Sequence, residues 1–190
     1  IVYASSMGDG VIQYKNGTPV QSYNEKNAFK ETAGGYGSGY CYIDGLAFDK
    51  NGNLWMTSSE VNHAVLVLDK AGAWHRLDIE QLRGVYTIND ILITSTNDKW
   101  IYVPRNTPKL VMIPNSESLD EVSSYEFTTL IDTDGKELTP SNYTCVAEDK
   151  DGYIWVGTNR GAVYFTKPRI SSAEDKAATR CTRVKYTNER

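Results

Sequence analysis

The 190-residue chain is predicted to be all-β: a β-propeller fragment of about four four-stranded antiparallel blades, the first of them incomplete. Three observations predict it. Tryptophan recurs at a near-fixed interval, with Trp55, Trp100 and Trp155 spaced 45 and 55 residues apart, a period that belongs to four-stranded blades. Each of these tryptophans lies in the second of several short apolar segments that alternate with period two. Composition leans the same way, with 13 Tyr and four Trp against three Met, a balance that favours strands over helices.

Three segments align on these tryptophans. YIDGLAFDKNGNLWMTSSEVNHAVLVLDKAGAWHRLDI starts at Tyr42, YTINDILITSTNDKWIYVPRNTPKLVMIP at Tyr86 and NYTCVAEDKDGYIWVGTNRGAVYF at Asn142. In each, an alternating apolar strand leads through a polar turn to the Trp strand, then through a loop to a third apolar strand. The opening residues fit the same frame with its front missing. VYASS matches the Trp strand, GVIQY the third strand and PVQSY the fourth, joined by KNGT. Innermost strands are expected at 42–49, 87–94 and 142–149, and second strands at 53–58, 99–105 and 153–158. Third strands are expected at 10–15, 64–69, 109–114 and 161–166, and outer strands at 18–23, 73–79, 123–131 and 180–187. The blades of this single propeller piece then run over 1–32, 42–80, 86–131 and 142–190, with a helical turn expected inside 168–179. The third strands AVLVLD and GAVYF are apolar on both faces, as sheets packed face to face require. Each tryptophan is expected to fill the gap between neighbouring blades, burying ~150–250 Å². The chain opens on IVYASS, with no initiator Met and no signal peptide, and is expected to be a piece of something larger.

DKNG at 49–52 and DKDG at 149–152 occupy the same place, between first and second strands. A calcium loop needs oxygen ligands at positions 1, 3, 5 and 12 around a Gly at 6. With Gly152 at position 6, the ends are Ala147 and Thr158; with Gly52 there, they are Ala47 and Ser58. The essential carboxylates are missing, so Asp49, Gly52, Asp149 and Gly152 read as turn residues and no metal site is expected. Asp bonds to its own backbone in turns, and Gly takes positive φ freely.

A net charge of −4 argues against a nucleic-acid surface. Residues 166–190 carry +4 and the rest −8, which reads as a solvated edge. Cys41, Cys145 and Cys181 are too few and scattered for a disulfide framework or a zinc site, though one disulfide stays open. No apolar run approaches membrane-spanning length. His63 and His75 are the two histidines, and His75, beside Trp74 on an outer strand, reads as solvent-facing. There is no nucleophile elbow, and GGYGSG at 34–39 lacks the Lys and the following helix of a phosphate loop. No catalytic residue and no cofactor are expected.

VAEDKDGYIWVGTNRGAVYF at 146–165 resembles the two-component regulator propeller repeat: a hydrophobic strand, D-x-x-G-x-[LI]-W-[VI]-G-T, a short loop, then G-[LV]-x-x-[FY]. The likeness is looser at 46–69, where NLWMTSS lacks the Gly-Thr. It is degenerate at 90–113, where STNDKWIYV keeps the Trp but loses the Gly. The resemblance implies a propeller in the periplasm or on the cell surface of a Gram-negative bacterium of the Bacteroidetes. One branch is the sensor half of hybrid two-component systems that detect glycan fragments; the other is a surface propeller associated with type IX secretion.

Such propellers present their fourth-to-first and second-to-third loops on one face, where binding residues collect. AGGYGSGYCY contributes Tyr36, Tyr40 and Tyr42, rigid rings on an adaptable Gly/Ser backbone. His63, Arg105, Asn142, Tyr143, Asn159 and Arg160 complete the candidate set for a glycan or small-molecule ligand. The remaining blades and downstream domains of a parent protein are the other expected partners. Fewer than four complete blades leave apolar end faces that a lone monomer tolerates poorly, so self-association or a closed four-blade form is expected.

Overall fold

The computed structural model describes residues 1–29, 32 and 39–185. The chain divides into two compact units, Ile1–Ile93 with Ser116–Val122, and Thr94–Asn115 with Ser123–Arg190.

Unit 1 is built from β1 (Val2–Gly8), β2 (Gly10–Lys15), β3 (Thr18–Tyr23), β4 (Cys41–Phe48), β5 (Leu54–Ser58), β6 (Val65–Leu68), β7 (Trp74–Leu77), a 3₁₀ turn (Glu80–Leu82) and β8 (Ile91–Ile93). Strands β1–β7 form one sheet in the order β3-β2-β1-β4-β5-β6-β7. The Asn16-Gly17 turn closes β2 on β3 with φ of 52° and 79°, the doubly left-handed turn that matches strand twist. β1 and β4 join the first two predicted blades, pairing Met7 with Tyr42 and Gly8 with Cys41. An edge strand carries N–H and C=O groups that need partners, and β4 supplies some of them. All residues of β5 and β6 are buried, β6 as its two-sided apolar pattern predicts. Val11, Phe29, Cys41, Ile43, Leu54, Met56, Leu66 and Leu68 form the core, with Tyr3, Tyr23, Leu46 and Trp74 packed on it. Trp74 meets Tyr23 and Phe29 edge-on at 5.4 and 5.3 Å.

Unit 2 holds β9 (Lys99–Val103), β10 (Lys109–Ile113), β11 (Tyr125–Phe127), β12 (Leu130–Ile131), β13 (Glu137–Leu138), β14 (Tyr143–Glu148), β15 (Ile154–Thr158), β16 (Gly161–Phe165), α1 (Ala173–Ala178) and β17 (Thr182–Arg183). Its largest sheet runs β14-β15-β16-β17. α1 is the expected helical turn, capped by the Ser172 hydroxyl, which accepts from Asp175 N. Trp100 is 1% exposed and sits between Phe127 and Phe165, with centroids 5.9 and 5.5 Å away.

Three strand expectations change. The 123–131 strand splits, because Asp132–Gly135 makes its own turn and pairs β12 with β13. The 87–94 strand shortens to Ile91–Ile93, and the 180–187 strand to Thr182–Arg183, its last two positions lying outside the described residues. GAVYF is not buried on both faces: Val163 and Phe165 are buried, whereas Ala162 and Tyr164 are half-buried. Trp155 is likewise half-buried, unlike Trp55 and Trp100.

Candidate functional site

The Asp-x-x-Gly turns are corners built by one carboxylate. Asp49 Oδ1 accepts from the backbone N–H groups of Asn51 and Asn53, each at 2.9 Å. Its Oδ2 accepts from Asn53 Nδ2 and from the Trp55 indole, also at 2.9 Å. Burial alone pushes the Asp49 carboxyl up, but these donors outweigh it and hold it below its ordinary range. Asp149 repeats the pattern with Asp151 N, Tyr153 N and the Trp155 indole at 2.7 Å. Gly52 and Gly152 take φ of 84° and 79°, which an L side chain rarely adopts. The carboxylate oxygens are therefore occupied by the chain itself.

Two more corners escaped the sequence reading. Asp69 Oδ1 accepts from Ala71 N and Ala73 N while Oδ2 faces His75 Nε2 at 3.1 Å. Asp132 Oδ1 accepts from Asp134 N and Lys136 N, and Oδ2 pairs with Arg183 Nε at 2.8 Å. The signal was the Asp-x-x-Gly spacing, which DKAG and DTDG share with the recognised copies. His75 is thereby half-buried and bonded rather than simply solvent-facing.

In unit 1 the loops expected to carry ligand residues are tied together. Glu60 N donates to Val85 O at 2.8 Å and Gly84 N to Val61 O at 2.9 Å. Ser59 Oγ donates toward Asp44 and accepts from Ile88 N at 2.9 Å. Tyr40 and Tyr42 are half-buried and meet edge to face at 6.4 Å. Burial raises the Tyr42 hydroxyl, and Asp44, Tyr40, Tyr86 and Glu60 add to it, so these groups share one rim. His63 is half-buried, and its charge helps lower Asp78 after the dominant Arg83 bond. Tyr36 lies outside the described residues. An open cleft of about 610 Å³, lined by Tyr3, Ser5, Asp44, Asn89 and Asp90, lies in the same unit.

Burial pushes the Asp44 carboxyl up to about 6; the Ser59 hydroxyl offsets part of this and Asp90 adds to it. Between its ordinary value and about 6 the folded state holds more protons than the unfolded one. Stability is therefore lost as pH rises through that window. Asp44→Asn should flatten this slope and, after discounting for solvent at a half-buried group, stabilise the chain at pH 7 by about 1 kcal/mol. Urea denaturation at pH 5 and 7 reads it; an unchanged slope in the variant contradicts it.

In unit 2 Asn159 is a staple. Its Oδ1 accepts from Ser141 N and Asn142 N, and its Nδ2 donates to Ser141 Oγ at 2.8 Å. Tyr143 N donates to Pro104 O at 3.0 Å, which sets the turn carrying exposed Arg105 beside Asn142. Arg160 is exposed at the neighbouring turn. Tyr143 is corrected from rim to core: it is 0% exposed and its hydroxyl points to Phe127 O at 3.5 Å. A register shift between Tyr143 and Cys145 places Tyr143 at the start of the strand and turns it inward. At the opposite strand ends lies a pocket of about 250 Å³ that sequence reading missed, with Trp100, Glu148, Lys150, Lys167 and Arg169 in its lining. Ser95 N and Oγ bond both Glu148 oxygens there, at 2.6 and 2.5 Å.

The Asp149 corner, its Trp partner and the Asn159 staple fall in one short stretch. Residues 137–160 match the two component regulator propeller family. The match overlaps the copy at 146–165, whose sequence carried the resemblance, over 146–160. No curated protein matches the chain. Among solved structures the chain is similar to PorZ, an essential surface component of the type-IX secretion system of Porphyromonas gingivalis, with TM-score 0.81, 16% identity, and 95% of this chain and 25% of that one covered. It is also similar to the extracellular domain of the hybrid two component system BT4673 from B. thetaiotaomicron (TM-score 0.60, 17% identity, 99% and 22% covered). The extracellular domain of BT3049 from the same organism gives TM-score 0.57, 18% identity, and 85% and 19% covered. The chain spans about a quarter or less of each. At these identities the likeness is one of fold, and the fold is that of a β-propeller fragment. These neighbours are extracellular or surface domains, and no described helix of the chain is long and apolar enough to cross a membrane.

Proposed function

We propose that the chain is the non-catalytic, ligand-binding part of an envelope two component sensor and that its ligand is a glycan fragment. The observation that carries this reading is the laced rim of unit 1, where Tyr42 meets the Tyr40 ring and feels the charges of Asp44 and Glu60. Fixed aromatic rings stack on sugar faces, and nearby carboxylates and amides bond to hydroxyls. The repeat at 137–160 and the extracellular domains of similar fold support it. The rim of unit 2 adds Arg105, Asn142 and Arg160 as further donors. The sensor works in the periplasm or at the cell surface, and its signal is a population shift that requires differential affinity for two states.

A glycan array followed by calorimetry tests the reading. One oligosaccharide class should bind, and Tyr42→Ala should weaken it about tenfold or more. Absence of glycan binding, or unchanged affinity in Tyr42→Ala and Tyr40→Ala, overturns it. A second reading is a structural propeller of a type IX secretion surface assembly that binds a protein or polysaccharide. The higher TM-score with PorZ favours it, and deletion of the gene should then block secretion without changing glycan-induced transcription.

A further inference from the structure

The pocket of about 250 Å³ in unit 2 has three turns for walls. The turn at 94–98 leads into β9, that at 148–152 joins β14 to β15, and that at 167–169 follows β16. Every wall is interior to the sequence and carried by a strand of unit 2. Trp100 and Ile154, 1% and 2% exposed, close the floor.

Three cations line this pocket: Lys150, Lys167 and Arg169, all exposed. Among the described residues, none of their side chains has a hydrogen bond or an ion pair. The two nearest carboxylates are engaged by the chain itself. Glu148 accepts from Ser95 N and Oγ, and Asp98 accepts from Asn115 N at 2.8 Å and from Thr96 Oγ1. Asp151 stands exposed at the outer lip. Ammonium and guanidinium groups offer donors only, so unengaged cations around a concavity suit an acceptor. Lys167 and Arg169 also belong to the basic segment 166–190, which here has a place in the fold beyond that of a solvated edge.

Lys167 is held in an unusual way. Its φ is 45°, a left-handed conformation uncommon outside Gly, Asn and Asp. It precedes Pro168, where extended backbone is favoured. Its stem lies over Gly152, with Cε and Cγ 3.6 and 3.7 Å from where a Cβ of residue 152 would sit. Strained backbone of this kind persists where its surroundings fix it, and it gathers at ligand clamps.

We propose that this pocket binds a small organic anion, with a carboxylate or phosphate group held by Lys150, Lys167 and Arg169 and the rest of the ligand against Trp100 and Ile154. Arg169 supplies a planar fork that matches either group, and the lysines add point charges. The volume is below the about 300–1,000 Å³ of sites for drug-sized molecules, so the ligand is about the size of one sugar ring. None of these residues belongs to the aromatic rim of unit 1, so the site stands whether or not that rim takes a glycan.

An NMR titration of the isotope-labelled chain tests this. Glucuronate, glucose-6-phosphate and glucose serve as probes, sharing one ring and differing in the charged group. At least one charged sugar should bind at about millimolar concentration or below, moving the amide signals of Ser95, Gly152 and Lys167. Glucose should leave them in place, and added salt should weaken the charged probe. Arg169→Ala should lower affinity about tenfold, and so should Lys167→Gly, which suits the left-handed backbone. Lys185→Ala removes an equal charge from an exposed position outside the pocket and should bind as wild type does. Retained dispersion of the amide spectrum shows that each variant folds. Glucuronate binding alone makes the recognised group a carboxylate, and glucose-6-phosphate binding alone a phosphate ester; either supports the proposal. No shift with either charged sugar, glucose binding as tightly as they do, or equal losses in Lys185→Ala and Arg169→Ala overturns it.

Discussion

Trp100→Ala should destabilise unit 2 by about 3–5 kcal/mol, the range for truncating a fully buried large ring. The indole is 1% exposed and lies between Phe127 and Phe165, which are themselves 6.0 Å apart. Removing it leaves a void between two rings held by different strands, so neither can collapse without moving a sheet. Trp155→Ala removes the same side chain from a half-open face and loses the Asp149 bond and the Tyr164 contact. That loss should be about 1–2 kcal/mol. Urea unfolding followed by far-UV circular dichroism gives both values. Equal costs would mean that Trp100 is not the packed centre of its unit.

The second large effect belongs to Asp49, which is 7% exposed and receives four donors. Asp49→Ala leaves buried N–H groups without an acceptor and should cost about 3 kcal/mol or more. Asp49→Asn keeps the shape, but its amide N–H₂ must face other donors, so it should rescue only part of the loss. The carboxyl is held below its ordinary value. Its contribution is therefore complete above the ordinary carboxylate pKa and disappears as pH falls through the lowered folded value. Wild-type stability should drop on acidification below about pH 4, and the Asp49→Asn curve should be flatter there. Parallel curves would remove Asp49 from the acid response.

Much of this scaffold was legible because local chemistry agreed with global packing. Trp strands, the Asn-Gly hairpin and the helical turn each follow from residues a few positions apart. The middle repeat shows where such reading thins out. In TSTNDKW, Thr94 and Asn97 stand where the other copies have Asp and Gly, yet Thr94 Oγ1 still accepts from Asp98 N, and Asn97 takes φ of 69° in the glycine position. Thr94 and Asn97 keep the spacing to Trp100 that Asp49 and Gly52 keep to Trp55. The corner survives with different atoms. Tyr143 was misread because a one-residue register shift reverses which side of a strand faces in. The pocket around Trp100 was invisible because its walls come from residues near 95, 148 and 168, which only the folded chain assembles.

The Asp corners divide labour between their two oxygens. One oxygen is spent on the turn's own amides and is the same in all four Asp copies. The other meets an indole at Asp49 and Asp149, an imidazole at Asp69 and a guanidinium at Asp132. Turn shape and turn partner are thus uncoupled at a single residue. A duplicated module of this kind can change what it is fastened to, from its own strand to the far end of the polypeptide, while its bend stays fixed.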